Sequence, residues 1–410
     1  MKRLAALFTL ISLGSAAQTP SAPPAADYAE ASNRLAFASF SGLAQIAEGN
    51  FGFSPFNSHQ VAALLAEGAK GRTQEELLKL TQLPADAATR LQWLATLREQ
   101  IASDARRGGL ALENANSLWS QPSYTFLPSF LEIARNSFSA VAEELTSTDP
   151  VQQAVQVNRW IRQQTRDRIT NIVGPSQFAN PQGTLLVVSS LYFRCRWSDD
   201  FDIRQTRMGP FILPDNKSIP LPIIRQTATV PYAEDDDWQC IDLQFKSMNF
   251  ALRILLPRRD SDRATFETNL TSRTWTALGE QMSPEPTHIL IPRFSFATEL
   301  DLAPLWAAII PQSLFQPGVA DLSALAKASP SVSAVIHSST IEVTESGIEA
   351  TAATVGVADP FGDPPPPPKR EVEPKIKLFN ADHPFLWFVV HRPTHLVLFA
   401  GRFTGETPQE

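Results

Sequence analysis

Cysteine is nearly absent, with only Cys195 and Cys240 in a chain of 410 residues. Two cysteines cannot build the disulfide framework of a small secreted scaffold, so the fold must rest on its core. Two unpaired, partly buried thiols are expected, with a single disulfide as the alternative. Any apolar run of about 20 residues, the length a membrane-spanning helix requires, is missing too. So is a run of basic residues: 35 Lys and Arg stand against 42 Asp and Glu, a formal net charge of −7. That balance favours solubility and argues against a nucleic-acid or anionic-membrane partner.

The usual catalytic signatures are missing as well. The sequence contains no Gly-x-Ser-x-Gly elbow, no His-Glu-x-x-His helix and no phosphate loop. Gly68-Ala-Lys-Gly71-Arg-Thr73 has glycine and lysine without the loop spacing and reads as a helix end followed by a turn. His391 and His395 flank Pro393-Thr394, which denies the helical geometry of a shared metal, and they read as surface hairpin residues. The two cysteines lie far apart without a nearby second ligand pair. No metal, no cofactor and no enzymatic activity are expected.

What is present begins with an export signal. Lys2 and Arg3 precede an apolar run from Leu4 to Leu13, followed by Ser15-Ala16-Ala17, the layout of a signal peptide over residues 1–17. A secreted protein, extracellular or periplasmic, is expected. Residues 18–26 are rich in Pro, Ala and Ser and read as a linker. Residues 27–410 show no second linker before residue 355 and read as one large domain.

Apolar residues from Asp27 to Ala47, and again at Leu91, Leu94, Leu97 and Ile101, recur at helical spacing. A third pattern, Val157, Ile161, Thr165, Ile169 and Ile172, predicts a helix stopping at Gly174-Pro175. Its other face carries Arg159, Arg162, Arg166, Asp167 and Arg168, which read as a solvated surface. Strand signals dominate later. The run from Thr184 to Phe193 predicts a central strand buried on both faces. Further strands are expected over 250–256, 288–296 and 335–343, with a hairpin formed by 385–390 and 396–399. Helices early and strands later indicate an α+β fold with mostly antiparallel sheets.

The most informative stretch leaves a strand at Thr340-Ile-Glu-Val343 and passes through Glu345-Ser-Gly347 into Ile348-Glu349-Ala350-Thr351-Ala352-Ala353-Thr354. It continues to Phe361-Gly362, five prolines at 364–368 and Lys369-Arg370, then returns at Lys375 to Phe379. Long loops of this kind tend to be functional. Period-two numbering puts Ile348, Ala350, Ala352 and Thr354 on one small, mostly apolar face. Gly347 stands where a strand would pivot. Composition alone fits a flexible linker and polyproline spacer equally well.

Wider context decides between them. The loop resembles the hinge of the serpin family, a strand ending in Ile-Glu-Val followed by Glu-x-Gly and a run of small residues. Other blocks similar to that family recur in order: Phe53-Ser54-Pro55 with Gly68 to Thr73, Asn114-Ala-Asn116, Asn158-Arg-Trp160 with Thr165, Leu191-Tyr-Phe193 with Trp197, Phe379 to Phe385, and Leu398 to Arg402. The resemblance spans roughly residues 28 to 405. It implies an α+β serpin fold with a large central sheet A, surrounding helices and an exposed reactive-centre loop at about 345–375.

It also implies a monomer that inhibits a serine protease through a covalent acyl-enzyme, the cleaved loop then inserting into the sheet. The family's spacing from the hinge glycine selects Phe361, with Gly362 on the leaving side, and hence a chymotrypsin-like target. The segment from Phe361 to Phe385 is longer than usual, so Lys369 or Arg370 with a trypsin-like target is the alternative. A non-inhibitory binding or storage protein is the rival class. Ile348 replaces the usual Thr or Ser and is expected to slow insertion. Ser189 stands where the family has Asn, opposite His337; with Ser54 they match a shutter that a Ser–His hydrogen bond could hold.

Overall fold

Helices dominate the first half of the chain because small and apolar residues recur there at helical spacing behind well-formed caps. In this computed structural model the described residues are 24–178, 185–259, 261, 263–310, 313–348 and 375–405. Helix α1 (Pro24–Ile46) leads through strand β1 (Phe51–Phe53) to α2 (Pro55–Gly68), α3 (Gly71–Thr81) and α4 (Ala87–Arg107). Strand β2 (Ala111–Ser120), α5 (Pro128–Phe138), β3 (Ala140–Glu144) and α6 (Pro150–Gln164) follow. Ser54, Asp86 and Asp149 each accept a backbone N–H in the first turn of α2, α4 and α6, satisfying a donor the helix itself leaves free.

Strands then take over: β4 (Leu185–Arg196), β5 (Arg207–Ile212), β6 (Ser218–Glu234), β7 (Trp238–Gln244) and β8 (Phe250–Pro257). After α7 (Arg263–Asn269) and α8 (Ser272–Gln281) come β9 (Ser283–Pro292), β10 (Phe294–Asp301) and α9 (Ala303–Ile309). The chain ends through β11 (Val332–Thr344), β12 (Gly347–Ile348), β13 (Lys377–Asn380), β14 (Phe385–His391) and β15 (Leu396–Phe403). One sheet runs β1-β15-β14-β8-β7-β6-β9-β13 with β5 beside β6; the other, sheet A, runs β10-β11-β12-β4-β2-β3.

Sheet A is the layer that positions the site. Strand β4 is buried on both faces from Leu185 to Leu191, as its apolar run predicts. On one side Val187, Leu191 and Phe193 join the main core with Phe56 and Leu64 of α2. On the other, Leu186 and Val188 pack under α6 with Val157, Ile161 and Trp119. Helix α6 therefore lies across the outer face of the sheet.

Five sequence expectations need correction. The single strand expected over 288–296 is two strands in different sheets, β9 and β10, separated at Arg293, whose N–H bonds Pro222 O at 2.8 Å. Strand-forming residues on both sides of Pro292-Arg293 hide such a break. Helix α6 stops at Thr165 instead of reaching Gly174. The Thr165 hydroxyl donates to Ile161 O at 2.8 Å and accepts the Ile169 N–H at 3.1 Å, and Arg166 and Asp167 take φ of +52° and +61°. Ile169 and Ile172 still pack against the same apolar side, which is why their spacing imitated a longer helix.

Third, His391 is no surface residue: it is fully buried, with Nε2 3.0 Å from Asp104 Oδ2 of α4 and Nδ1 2.8 Å from Thr394 Oγ1. Fourth, α1 starts at Pro24, inside the segment read as linker. Fifth, the thiols are free as favoured but fully buried, Cys195 in sheet A and Cys240 in the larger sheet. Residues 1–23, which carry the proposed signal peptide, lie outside the described residues. No described helix is long and apolar enough to cross a membrane.

Asn158 ties the tail of α6 down: its Oδ1 accepts the N–H groups of Ile172 (2.8 Å) and Val173 (3.2 Å), and its Nδ2 donates to Val173 O (2.8 Å). Asn158→Ala strands these buried backbone groups. It is expected to lower unfolding stability by roughly 2–4 kcal/mol, measured by urea unfolding; a shift near zero would contradict this role.

Candidate functional site

Two neighbouring strands of sheet A hold the site between them. In their lower part β4 and β11 pair directly and in parallel, from Leu185 beside Val332 to Leu191 beside Ser339. Above that point they part. Strand β11 turns back through Glu345-Ser346, and β12 enters the gap antiparallel to both neighbours. Gly347 lies between Thr344 and Arg196, and Ile348 between Val343 and Cys195. Two residues of the hinge thus already form the start of an inserted strand.

Gly347 is required here for two reasons. Its φ is +139°, a conformation residues with a Cβ avoid. An added Cβ would also sit 2.1 Å from the carbonyl oxygen of Cys195. Ile348 is 2% exposed and belongs to the main core with Val343 and Cys195, so this apolar side chain is accommodated at the mouth of the gap.

The turn above the gap is fixed on all sides. Trp197 Nε1 donates to Thr344 O at 2.9 Å, and the Trp197 and Phe201 N–H groups reach Ser346 O and Glu345 O at 3.2 and 2.9 Å. Glu345 is buried; its Oε1 accepts the Thr206 hydroxyl at 2.7 Å, and its Oε2 lies 3.6 Å from Arg293 Nε. Trp197 stacks on Phe245 with centroids 4.9 Å apart. The indole is both roof and hydrogen-bond donor.

Lower down, where β4 and β11 are still paired, a buried polar cluster spans them. His337 Nδ1 is 3.1 Å from Ser189 Oγ, and His337 Nε2 accepts the Ser54 N–H at 2.8 Å. Because Nε2 is an acceptor, a neutral ring carries its proton on Nδ1 and donates to Ser189. Ser189 Oγ also accepts from Asn57 Nδ2 at 2.9 Å, and Asn57 exchanges bonds with Asn116 of β2. The Ser54 hydroxyl donates to Leu398 O of β15 at 2.7 Å. Helix α2, both central strands, β2 and the second sheet meet in one buried network.

Of the residues singled out from sequence, Ser54, Ser189 and His337 lie together, and Glu345, Gly347 and Ile348 sit at the top of the gap. Glu349, Ala350, Thr351, Ala352, Ala353, Thr354, Phe361, Gly362, Lys369 and Arg370 lie outside the described residues. Thr206, Arg293, Phe201 and Asn57 were missed. Each belongs to another element, and no local pattern announces a partner so distant in sequence. Among the described residues no group of three His, Cys, Asp or Glu side chains is arranged to hold a metal ion.

The sequence profile of the family described as serpin (serine protease inhibitor) matches residues 30–405. Over 356 residues the chain is 30% identical to an uncharacterized serpin-like protein of Thermococcus kodakarensis, covering 86% of this chain and 80% of that one. It is also 30% identical over 364 residues to Serpin B8 of Bos taurus, covering 87% and 93%. The native-state structure of tengpin, a thermophilic serpin, superposes with a TM-score of 0.81 at 17% identity, covering 93% and 94%. The chain belongs to the serpin family and has the α+β serpin fold.

Burial sets the proton chemistry of the network. Desolvation lowers His337 to about 3, and it lowers His59 to about 4 against a weaker upward pull from its bond to Thr81 O at 2.8 Å. Both therefore bind protons more weakly folded than unfolded, where the value is about 6.5. Their contribution is complete above that value and is lost as pH falls towards the folded values. Between about pH 7 and about pH 5 stability is expected to decline, approaching ~1.4 kcal/mol per unit and group once below 6.5. Urea unfolding across that interval measures it, and a flat profile would contradict the burial of neutral rings.

Proposed function

We propose that this chain inhibits serine endopeptidases by offering its loop as a substrate and inserting the cleaved loop between β4 and β11. The single observation that carries this reading is the partly opened gap, with Gly347 and Ile348 paired to both walls. Extending that register downward sets Ala350 between Ile341 and Phe193, Ala352 between Ser339 and Leu191, and Thr354 between His337 and Ser189. Ala358 then reaches Leu185, the lower end of the described strand. Every residue on the core side of this inserted strand after Ile348 is small.

Insertion exchanges one parallel ladder for two antiparallel ones, which adds hydrogen bonds and uses the slightly more stable pairing. It also breaks the His337–Ser189 contact, so that bond acts as the lock on the uninserted state. From Ile348 to Ala358 the strand is about 36 Å long at 3.3 Å per residue. Pro360 and Phe361 fall just beyond it. A cut at Phe361 fills the gap and leaves Pro364 to Pro368 outside the sheet, where their missing N–H groups do no harm. A cut at Lys369 or Arg370 would leave a long stretch, five prolines included, that the gap cannot take up.

The chemistry is the protease's own. Its serine oxygen attacks the Phe361 carbonyl carbon, the bond to the Gly362 nitrogen breaks, that nitrogen takes a proton from the enzyme's general acid, and an acyl-enzyme remains. Insertion then drags the tethered enzyme away from the geometry needed for deacylation. An aromatic at the scissile position fits a chymotrypsin-like specificity pocket. The N-terminal layout supports secretion, and the negative charge supports a soluble monomer with no nucleic-acid or membrane partner.

Incubation with chymotrypsin-like and trypsin-like enzymes is expected to give an SDS-stable complex with the former and a released peptide beginning at Gly362, read by mass. Ala352→Arg, which sets an unpaired charge against Leu191 in the core, is expected to abolish the complex while cleavage continues. Cleavage without any complex would instead identify a non-inhibitory serpin. Secretion is checked separately by sequencing the exported protein, expected to begin at Gln18; retention of Met1 to Ala17 would contradict it.

A further inference from the structure

Behind sheet A lies a cavity of about 280 Å³ that the trapping mechanism does not use. It opens between α4, the start of β2 and α2, with Phe56, Ile101, Leu110 and Leu191 among its apolar walls. Its polar lining is Gln60, Asn114 and two arginines, so the charged groups there share one sign. Arg98 and Arg106 line it and no carboxylate does among the described residues, although the chain as a whole carries a net charge of −7. Arg98 is held in place by bonds to Ser137 O and Ser139 Oγ. Arg106 is exposed and has no ion pair among the described residues.

The inner end carries a second, independent feature. Gln60 is 2% exposed and lines the cavity, yet its Oε1 has no hydrogen-bond partner. Leaving a buried amide oxygen unpaired costs about 1–3 kcal/mol, so such atoms in native proteins ordinarily face a ligand or an ordered water. A concave apolar pocket with a few convergent polar groups is the usual form of a small-molecule site.

We propose that this cavity binds a small amphipathic carboxylate bearing a hydroxyl or N–H at its far end. The carboxylate meets the guanidinium of Arg106 at the mouth, in the field of Arg98. The apolar body lies against Phe56, Ile101 and Leu191, and the terminal donor bonds Gln60 Oε1. A neutral or cationic analogue lacks the charge complement, and an acid without the donor leaves Gln60 unpaired. Leu191 belongs to β4 and is the residue beside which Ala352 would insert. A bound ligand therefore touches a strand that must move; that consequence rests on the trapping reading, whereas binding itself does not.

Hydroxyphenylpropionate is a suitable probe, since a phenol and a carboxylate stand at opposite ends of one ring. Titration calorimetry on the full chain is expected to show saturable one-to-one binding. Phenylpropionate, lacking the hydroxyl, is expected to bind about tenfold more weakly, the loss of roughly one hydrogen bond to a buried group. Tyramine, with an amine in place of the carboxylate, should give no heat of binding. Arg106→Glu, an exposed substitution that leaves the core untouched, should weaken the acid at least tenfold, and Ala102→Trp at the mouth should abolish binding. No saturable binding of the hydroxy acid, equal binding of acid and amine, or undiminished binding by both variants would each overturn the proposal.

Discussion

The architecture depends on a pairing that stops short. Strands β4 and β11 run side by side from Leu185 and Val332 to Leu191 and Ser339 and then separate around two residues of β12. A parallel ladder of this kind leaves its walls able to pair with a third strand running the other way. The surrounding groups hold the pair in that state. Trp197 and Glu345 fix the turn at the top, the His337 cluster bridges the strands below, and α6 covers the outer face. Gly347 makes the first step geometrically possible, since no other residue fits beside the Cys195 carbonyl.

In the proposed insertion the lock is polar and the driving force is ladder formation plus burial. Two strand edges that are already buried at the top continue downward as apolar surface on the core side, Phe193 and Leu191 on β4 and Ile341 on β11. Small residues entering there add ladder bonds without overfilling a packed interior, where extra volume costs about 1–3 kcal/mol. Against this stand the His337–Ser189 bond and its links to Ser54, Asn57 and Asn116. A fully satisfied buried network specifies one arrangement, and opening it exposes unpaired polar groups until the new strand arrives. On the proposed trapping mechanism, these two opposed sets of contacts make the starting state metastable.

Much of this was legible in the sequence because it is local. The pivot at Gly347 and the two-sided burial of the lower part of β4 follow from local residue type and side-chain spacing. What escaped was non-local. Arg293 looks like one residue within a run of strand formers, yet it marks the passage between two sheets. Thr165 reads as another turn of helix until its hydroxyl is seen ending the helix. His391 sits in a hairpin turn, and only the packing of α4 shows that its ring faces Asp104. Asn57 and Thr206 carry no signal of their own because their side-chain partners are 59 to 139 positions away.

The central claim is that the uninserted chain sits above a more stable inserted state, reached once the loop is cut. Cleavage of the loop by a protease in catalytic excess, followed by thermal unfolding of the nicked protein, tests that directly. The account predicts a large rise in the unfolding midpoint over the intact protein, as β4 and β11 each gain a partner along their length. An unchanged or lowered midpoint after cleavage would contradict it.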